Sequence, residues 1–293
     1  MKAGKKIAVL TLILAAGVMA YAWGQMSETQ KKYQENNTAY EDIRDRVKMS
    51  RTVDFRTESQ NDSQYDIPNI DIDIDTDMDT DTEESLESPA HVYIPNSGVD
   101  FEALASVSGD AVAWLYCPGT PIDYPVMRAD DYSYYLTHLP DGRKNGGGSL
   151  FIDYNCAPDF SGPLTVIYGH HMKNGTMFGS LLKYKEQDYY KKYPVMYLYT
   201  EQGNYRIELL YGCVIGAGQW KEQAFIYAEN LDSLLSYAAD HTTFKSNINI
   251  TEHAQSIYPE DKDRVIVLST CSYEFDNARY IVIGILKEEN QKK

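Results

Sequence analysis

Short runs of apolar residues, many alternating with polar ones, recur along the last two-thirds of the chain. Runs of this kind, separated by residues that favour turns, are typical of β-strands. Such runs lie at residues 112–116, 122–127, 149–153, 164–168, 195–200, 205–215, 265–270 and 280–286. Gly203 and Asn204 predict a hairpin turn between the fifth and sixth runs. Many short strands with turn-rich connections predict a mainly β domain, either a barrel or a sandwich.

Helical spacing of apolar residues is confined to a few segments. Residues 178–184 and residues 230–241 predict two helices that decorate the β domain, and the second has an apolar face suited to core packing. Nearer the N-terminus, residues 28–49 lack Gly and Pro and place Tyr33, Tyr40, Ile43 and Val47 on one modest stripe. This pattern predicts an amphipathic helix within residues 27–56.

The first 26 residues contain the longest uncharged stretch of the chain. Lys2, Lys5 and Lys6 precede residues 7–23, which carry no charge. This length lies between that of a signal-peptide core and that of a transmembrane helix, and small residues near Ala22 leave cleavage open as an alternative. We expect an uncleaved single-pass anchor in the cell membrane, with the lysines inside and the remainder of the chain extracellular.

The charge of the protein is concentrated in one region. The formal net charge is -16, and residues 57–127 hold sixteen Asp and Glu without a Lys or Arg, so the remainder of the chain is balanced. Within this region, residues 57–97 predict a solvated, disordered acidic spacer, because self-repelling carboxylates bury little. Weak calcium binding at residues 71–81 is the alternative, although the Gly and distal Glu of an EF-hand loop are missing there. The domain would then span residues 98–293.

A cysteine and an arginine flank the loop between the last two predicted strands. Cys271 follows a strand that ends in Ser269 and Thr270, and Arg279 opens the next strand. A thiolate nucleophile needs a nearby cation, and the intermediate of acyl transfer needs a donor for its oxyanion. Cys271 and Arg279 together satisfy both needs, although a lone cysteine is more often a buried apolar residue.

The chain contains six histidines, and two of them follow a predicted strand directly. His170 and His171 come after residues 164–168 and precede a glycine-containing turn, where an imidazole base would be accessible. The residues alone do not decide between the two. Adjacent histidines do not easily bind one metal ion, and no Cys-x-x-Cys or His-x-x-x-His spacing is present, so we expect neither a metal nor a cofactor.

These motifs together resemble those of the class B sortases. Residues 168–179 (YGHHMKNGTMFG) resemble the histidine motif of that family, and residues 268–271 (LSTC) with Arg279 resemble its cysteine and arginine signature. Residues 114–126 and 148–154 agree as well, in the family order. The resemblance implies an eight-stranded sortase-type β-barrel with a few helices. Class B sortases also carry an N-terminal helix packed on the barrel, but here we expect the acidic insert to keep the predicted helix apart from the domain.

The resemblance also implies an activity and its residues. Cys271 would attack the threonine carbonyl of a C-terminal sorting signal on a secreted protein, in a proline-containing motif with threonine in fourth position. A thioester would form, and an amine of a peptidoglycan precursor or cross-bridge would resolve it. His170 would be the general acid and base, and Arg279 would stabilise the oxyanion. No nucleic-acid partner is expected.

Three further residues are candidates for substrate binding. Ser269 shares a strand face with Cys271, whereas Thr270 points away and is expected to be structural. Tyr168 shares the face of His170, and Leu136 matches a stretch that borders the substrate groove in the family. For Leu136, core packing is the equally good alternative.

Two other functions remain as alternatives to a transpeptidase. A cysteine peptidase would use the same Cys, His and Arg but release its acyl-enzyme to water. A barrel retained as a scaffold would not need all three residue types. The chain has four cysteines, and we expect Cys271 to be free, Cys213 to be a buried apolar residue and no disulfide between Cys117 and Cys156.

Overall fold

The structure, a computed structural model, describes residues 2–57, 98–128, 130–218, 231–248 and 264–289. Within them the helices are α1 (Lys2–Thr57), α2 (Phe101–Val107), α3 (Gln187–Lys192) and α4 (Leu231–His241), with 3-10 helices at Tyr134–Leu136 and Phe178–Lys185. The strands are β1 (Ala111–Tyr116), β2 (Asp123–Arg128), β3 (Leu150–Ile152), β4 (Leu164–Tyr168), β5 (Val195–Tyr199), β6 (Asn204–Gly216), β7 (Arg264–Cys271) and β8 (Ala278–Glu288).

The eight strands of the described chain close into a barrel, as predicted. Their order around it is β1-β2-β3-β4-β7-β8-β6-β5, and β5 closes the barrel by pairing with β1. The pairs β2–β3 and β4–β7 are parallel, and the other pairs are antiparallel. Each predicted strand is present, and the predicted turn at Gly203 joins β5 to β6. The prediction of an eight-stranded barrel with a few helices is confirmed.

The middle of strand β7, from Val265 to Leu268, is apolar without interruption because both of its faces are covered. Ile266 and Leu268 belong to the main core, whereas Val265 and Val267 pack on the other face with residues of α4. In α4, Leu234 and Ala238 are the buried residues, which confirms the predicted core-facing side of this helix. β7 is therefore a central strand. Because successive side chains of a strand point to opposite faces, the face on which a residue at the end of β7 lies is fixed.

Helix α1 packs on the barrel, and here our expectation of a separate helix is wrong. Four of its residues are buried within the main core cluster: Ala39, Tyr40, Ile43 and Val47. Arg44, on the same helix, donates to the Asp123 carbonyl at 3.2 Å and lies 6.0 Å from the Tyr124 ring. The stripe was visible in the sequence. Its partner surface was not, because the partners lie far along the chain, 79 residues apart for Arg44 and Asp123 and 108 residues apart for Tyr40 and Gly148.

The N-terminal part of α1 differs from the part that packs. From residue 14 to residue 32 every side chain is exposed, including Leu14, Val18, Tyr21 and Trp23. The residues described here include no helix that combines the length and the apolarity required to cross a membrane. The single-pass anchor over residues 1–26 stays a prediction, and α1 passes the predicted boundary near residue 26 as one helix. Of the spacer predicted at residues 57–97, residue 57 is the last residue of α1, and residues 58–97 lie outside the described residues.

Candidate active site

Cys271 and Arg279 are direct neighbours across the β7–β8 pair. They are the last register pair of this antiparallel ladder, just before the connecting loop. Side chains directly opposite each other in such a ladder share a face, with Cβ atoms about 5 Å apart. The guanidinium donates through Nη1 to the Ala278 carbonyl at 3.0 Å, and its remaining N–H groups are suited to an incoming oxygen. Thiol and cation are thus brought together by strand register alone.

His170 reaches the opposite side of Cys271 through the parallel β4–β7 pair. The register pairs Tyr168 with Ser269, and extending it by two residues puts His170 opposite Cys271. The extension is supported by two contacts: the Gly169 N–H donates to the Ser269 carbonyl at 3.2 Å, and the Thr270 hydroxyl donates to the Gly169 carbonyl at 2.8 Å. Since adjacent strands lie about 4.8 Å apart, the order across the sheet is histidine, cysteine, arginine.

The imidazole of His170 is held by a carbonyl from a distant part of the chain. Nε2 lies 2.7 Å from the carbonyl oxygen of Leu136. A carbonyl only accepts hydrogen bonds, so this contact requires a proton on Nε2 and leaves Nδ1 as the nitrogen that gains or loses a proton. The ring is half-buried and sits at the end of β4. Such an imidazole is suited to passing a proton to or from a group above Cys271.

His171 has different surroundings, on the other side of the same strand end. It forms an isolated bridge with Met177, and its ring lies 5.2 Å from that of Tyr273. The pKa of His171 is lowered, mainly because the ring is partly buried. The positive charges of Lys185 and Lys173 lower this pKa further, whereas a main-chain hydrogen bond with Cys271 raises it. His171 is therefore kept neutral and packs behind the nucleophile.

Ser269 and Thr270 differ in the hydrogen bonding of their hydroxyls. The Thr270 hydroxyl is occupied by its bond to Gly169, which is a structural role. Ser269 is 1% exposed, and its hydroxyl is buried without a hydrogen-bond partner in the described part of the chain. A buried hydroxyl without a partner is costly in a folded protein. Ser269 lies on the strand face of Cys271, and its role in substrate binding stays a prediction.

The remaining two candidates line the His170 side. Tyr168 donates its hydroxyl to the Asp153 carboxylate at 2.9 Å, and burial raises its pKa, so it is a fixed, neutral wall. Leu136 is 37% exposed in the 3-10 turn Tyr134–Leu136, and its carbonyl is the partner of His170. Leu136 is therefore not a core residue, which removes the alternative that we left open for it.

The other three cysteines are free thiols in different surroundings. Cys117 and Cys213 are both 0% exposed, as expected for Cys213. Burial raises the pKa of all three thiols. The pKa of Cys156 rises to about 11 and the pKa of Cys213 to about 12, and the pKa of Cys117 is raised as well. These three thiols stay protonated at neutral pH and are poor nucleophiles.

A short network around the β7–β8 loop escaped the sequence analysis. Glu274 in this loop pairs with Lys185 at the end of the 3-10 helix Phe178–Lys185, and it also accepts from the Ser272 hydroxyl. Between and beyond these residues, Tyr273 and Phe275 are 70% and 51% exposed. The loop after the nucleophile is thus tied down at its base and presents two aromatic rings to solvent. No motif signalled the Lys185–Glu274 pair, because its partners lie 89 residues apart.

The arrangement is suited to acyl transfer through a covalent intermediate. A thiol has a guanidinium on one side and an imidazole on the other, which are the groups that a nucleophile, an oxyanion donor and a proton carrier require. Within the described residues, no group of three or more His, Cys, Asp or Glu is arranged to hold a metal ion.

Comparisons with known proteins agree with this chemistry. No family model matches the chain. Sortase B of Listeria monocytogenes is 31% identical over 187 residues, which are 62% of this chain and 72% of that protein. The structure of Clostridium perfringens sortase B superposes with a TM-score of 0.55 at 26% identity, covering 64% of this chain and 99% of the other.

A third relative was solved with a substrate bound. This Staphylococcus aureus sortase B–substrate complex matches with a TM-score of 0.56 at 24% identity, over 64% of this chain and 84% of that one. The barrel, the Cys–Arg register pair and the curated relative of 31% identity point to one family. The chain belongs to the class B sortases, a family of cysteine transpeptidases.

Proposed function

We propose that this sortase cleaves a sorting signal after threonine and transfers the protein to an amine through a thioester on Cys271. The observation that carries the proposal is the row of three side chains across β4, β7 and β8, in which Cys271 pairs with Arg279 and faces His170. The Staphylococcus aureus complex, in which a class B sortase holds a substrate, supports a sorting-signal peptide as the ligand.

In the first half-reaction the Cys271 thiolate attacks the threonine carbonyl carbon. A C–S bond forms while the carbonyl electron pair moves to oxygen, where the Arg279 guanidinium stabilises the negative charge. The C–N bond then breaks, and the leaving amine takes a proton from the His170 imidazolium. The products are a thioester on Cys271, a neutral imidazole and the released C-terminal peptide.

In the second half-reaction an amine of a peptidoglycan precursor or cross-bridge attacks the thioester carbon. The neutral His170 accepts the proton of this amine, the C–S bond breaks, and Cys271 returns to its thiolate form. An amide bond replaces the thioester, and both catalytic side chains recover their starting protonation states.

Product analysis separates transfer from hydrolysis. The chain is incubated with a peptide that carries a proline-containing motif with threonine in fourth position, with and without triglycine. We expect a triglycine amide as the main product when triglycine is present and slow release of the free acid without it. Release of the free acid alone, at the same rate in both samples, would favour the cysteine peptidase.

We also propose that residues 7–23 hold the enzyme at the cell membrane, with the barrel on the extracellular side. The proposal rests on the uncharged run and on the three lysines that precede it. Fractionation of cells that express the full chain should recover it with membranes, and removal of residues 1–26 should release it. Recovery of the full chain in the soluble fraction would contradict membrane attachment.

A further inference from the structure

The buried part of α1 contacts the barrel through polar groups as well as through apolar ones, and one of these polar groups is the Tyr40 hydroxyl. Tyr40 is 1% exposed, and its hydroxyl donates to the Gly148 carbonyl at 2.7 Å and lies 3.2 Å from the Ser149 hydroxyl. Its ring packs edge-on against Tyr124, with 4.9 Å between centroids. Burial raises the pKa of Tyr40, so the hydroxyl remains a donor throughout the physiological range.

Residues 147–149, whose Gly148 carbonyl accepts from the Tyr40 hydroxyl, lie in close contact between α1 and the turn Tyr134–Leu136. A Cβ on Gly147 would lie 2.6 Å from the side-chain carbon Cγ of Asn36, another buried residue of α1. Gly148 has φ +56°, and a Cβ there would lie 2.8 Å from the Leu136 carbonyl oxygen. Glycine is needed at both positions because α1 approaches from one side and the turn Tyr134–Leu136 from the other.

The same segment holds the turn that carries the His170 partner. The Ser149 N–H donates to the Tyr135 carbonyl at 2.8 Å, and the Ser149 hydroxyl donates to the His138 carbonyl at 2.8 Å. These bonds bracket Leu136, whose carbonyl binds Nε2 of His170 at 2.7 Å. A continuous set of contacts therefore runs from the helix, through residues 147–149 and the turn, to the imidazole.

We infer that Tyr40 is a positioning residue for the acid–base imidazole, which it orients through Gly148, Ser149 and the Leu136 carbonyl. The inference rests on the proposed role of His170 and adds to it. It makes the helix that precedes the acidic segment a part of the catalytic unit as well as a tether. Tyr40 does not touch the reacting atoms, so its effect is on the geometry of proton transfer.

The expected effect follows from the contacts. Without the hydroxyl, the buried Gly148 carbonyl loses its donor, and residues 147–149 are free to shift toward the space left behind. A displacement of about 1 Å at a catalytic group is enough to lower turnover by up to about 10²-fold. We expect Tyr40→Phe to lower kcat about tenfold while KM stays within twofold, since the Cys271–Arg279 side of the site is unchanged.

The matched control is Val47→Ala, on the same buried face of α1. Val47 is 2% exposed and has no polar group, so this variant removes packing without removing a hydrogen bond. Both variants are tested in the full chain, with a fluorogenic peptide of the proline-containing, fourth-position-threonine type, well below their melting temperatures. We expect Val47→Ala to lower the melting temperature at least as much as Tyr40→Phe and to keep kcat within twofold. Equal losses of kcat in the two variants, or unchanged kcat in Tyr40→Phe, would overturn the inference.

A second readout reports the imidazole directly. In the neutral form of wild-type His170 the Leu136 carbonyl holds the proton on Nε2, and ¹⁵N spectra of the histidine side chains, recorded at a pH where this ring is neutral, should show this tautomer. Tyr40→Phe should shift the tautomer balance or broaden the signal, and Val47→Ala should not. If His170→Ala remains active, the proposed function itself fails; if His170→Ala is inactive and Tyr40→Phe leaves the His170 signal and kcat unchanged, the positioning inference alone fails.

Discussion

The two sides of the active site are built in different ways. On one side, Cys271 and Arg279 are neighbours in a single antiparallel pair, and nothing beyond the β7–β8 hairpin is needed to bring them together. On the other, the His170 ring depends on Leu136, which depends on Ser149 and, through the segment around it, on α1. The nucleophile and its cation are placed by local register, and the acid–base group is placed by contacts between distant parts of the chain.

The two sides of the site should differ in how strongly distant substitutions affect them. A change far from the hairpin leaves the Cys271–Arg279 pair in place, because the pair is part of one ladder. The position of the His170 imidazole depends on contacts outside its own strand pair. A shift of α1, of residues 147–149 or of the turn Tyr134–Leu136 moves the Leu136 carbonyl that binds it. Turnover should therefore be more sensitive to distant substitutions than the reactivity of the thiol, and the following predictions test that contrast.

The largest effect is expected for His170→Ala. Loss of a positioned general acid and base typically costs on the order of 10²–10⁴ in rate, so we expect turnover to fall by about 10³-fold. Steady-state cleavage of the peptide measures this, and alkylation of Cys271 by iodoacetamide serves as the control for an intact hairpin. Wild-type turnover in this variant would remove His170 from the mechanism.

Arg279→Lys tests the hairpin side, with a somewhat smaller loss. Lysine keeps the charge but offers a point donor on a flexible stem in place of a planar fork. We expect turnover to fall about 10²-fold, or about 3 kcal/mol of transition-state stabilisation, with the melting temperature nearly unchanged. Near-normal turnover would leave a Cys–His pair as the working site and remove the oxyanion role.

Removal of α1 tests the contrast between the two sides most broadly. A chain that starts at Val99 loses the buried side chains of α1, including Tyr40, Ile43 and Val47, which together contribute on the order of 5 kcal/mol. We expect the melting temperature to fall by about 10 °C or more and turnover to fall at least tenfold. The alkylation rate of Cys271 below the melting temperature should stay within about threefold.

The control for this truncation is a chain that starts at residue 30, which keeps the packed part of α1 and loses only exposed residues. It should match the full chain in melting temperature and turnover. If the chain from Val99 were as stable and as active as the chain from residue 30, the packing of α1 on the barrel would have no role in the site.

The smallest effect is expected for His171→Asn. We expect turnover within about tenfold of the wild type, because His171 packs behind the nucleophile. The folded-state pKa of His171 lies below its ordinary value of 6.5, so its contribution to stability is present above that value and is lost as the pH falls through the folded-state pKa. The melting temperature of the variant should therefore fall less steeply than that of the wild type from about pH 7 to about pH 5. A larger loss of turnover than in His170→Ala would move the acid–base role to His171.

The strands were predictable because their signals are local. β7 and β8 each carry a long apolar run, and Cys271 and Arg279 stand at the two ends of the intervening loop, so their meeting follows from a hairpin. The structure extends some strands by one or two residues, as in β6 and β8, because ladder pairing continues past the apolar runs. The choice of a barrel over a sandwich came from the family resemblance and not from the pattern, and the order of the strands around the barrel was not predicted.

Other parts of the fold were missed or changed for physical reasons. The 3-10 helix Phe178–Lys185 was predicted only as a helix, and α2 was not predicted although Asp100 caps it by accepting from the Ala103 N–H. The docking of α1 was mispredicted because its apolar partners, such as Tyr124, lie far along the chain, and because the Gly148 carbonyl that Tyr40 binds is backbone, which carries no hydrophobic pattern. The Leu136 carbonyl that holds His170 is invisible in the sequence for the same reason.

The most direct test of the central claim is the mass of the covalent intermediate. The full chain is mixed with a peptide of the proline-containing, fourth-position-threonine type, quenched in acid within one turnover, digested and analysed by mass spectrometry. The account predicts that the acyl fragment ending in threonine is attached to Cys271, that triglycine removes it as an amide, and that Cys271→Ala forms no adduct. An acyl fragment on Cys117, Cys156 or Cys213, or normal cleavage by Cys271→Ala, would contradict it.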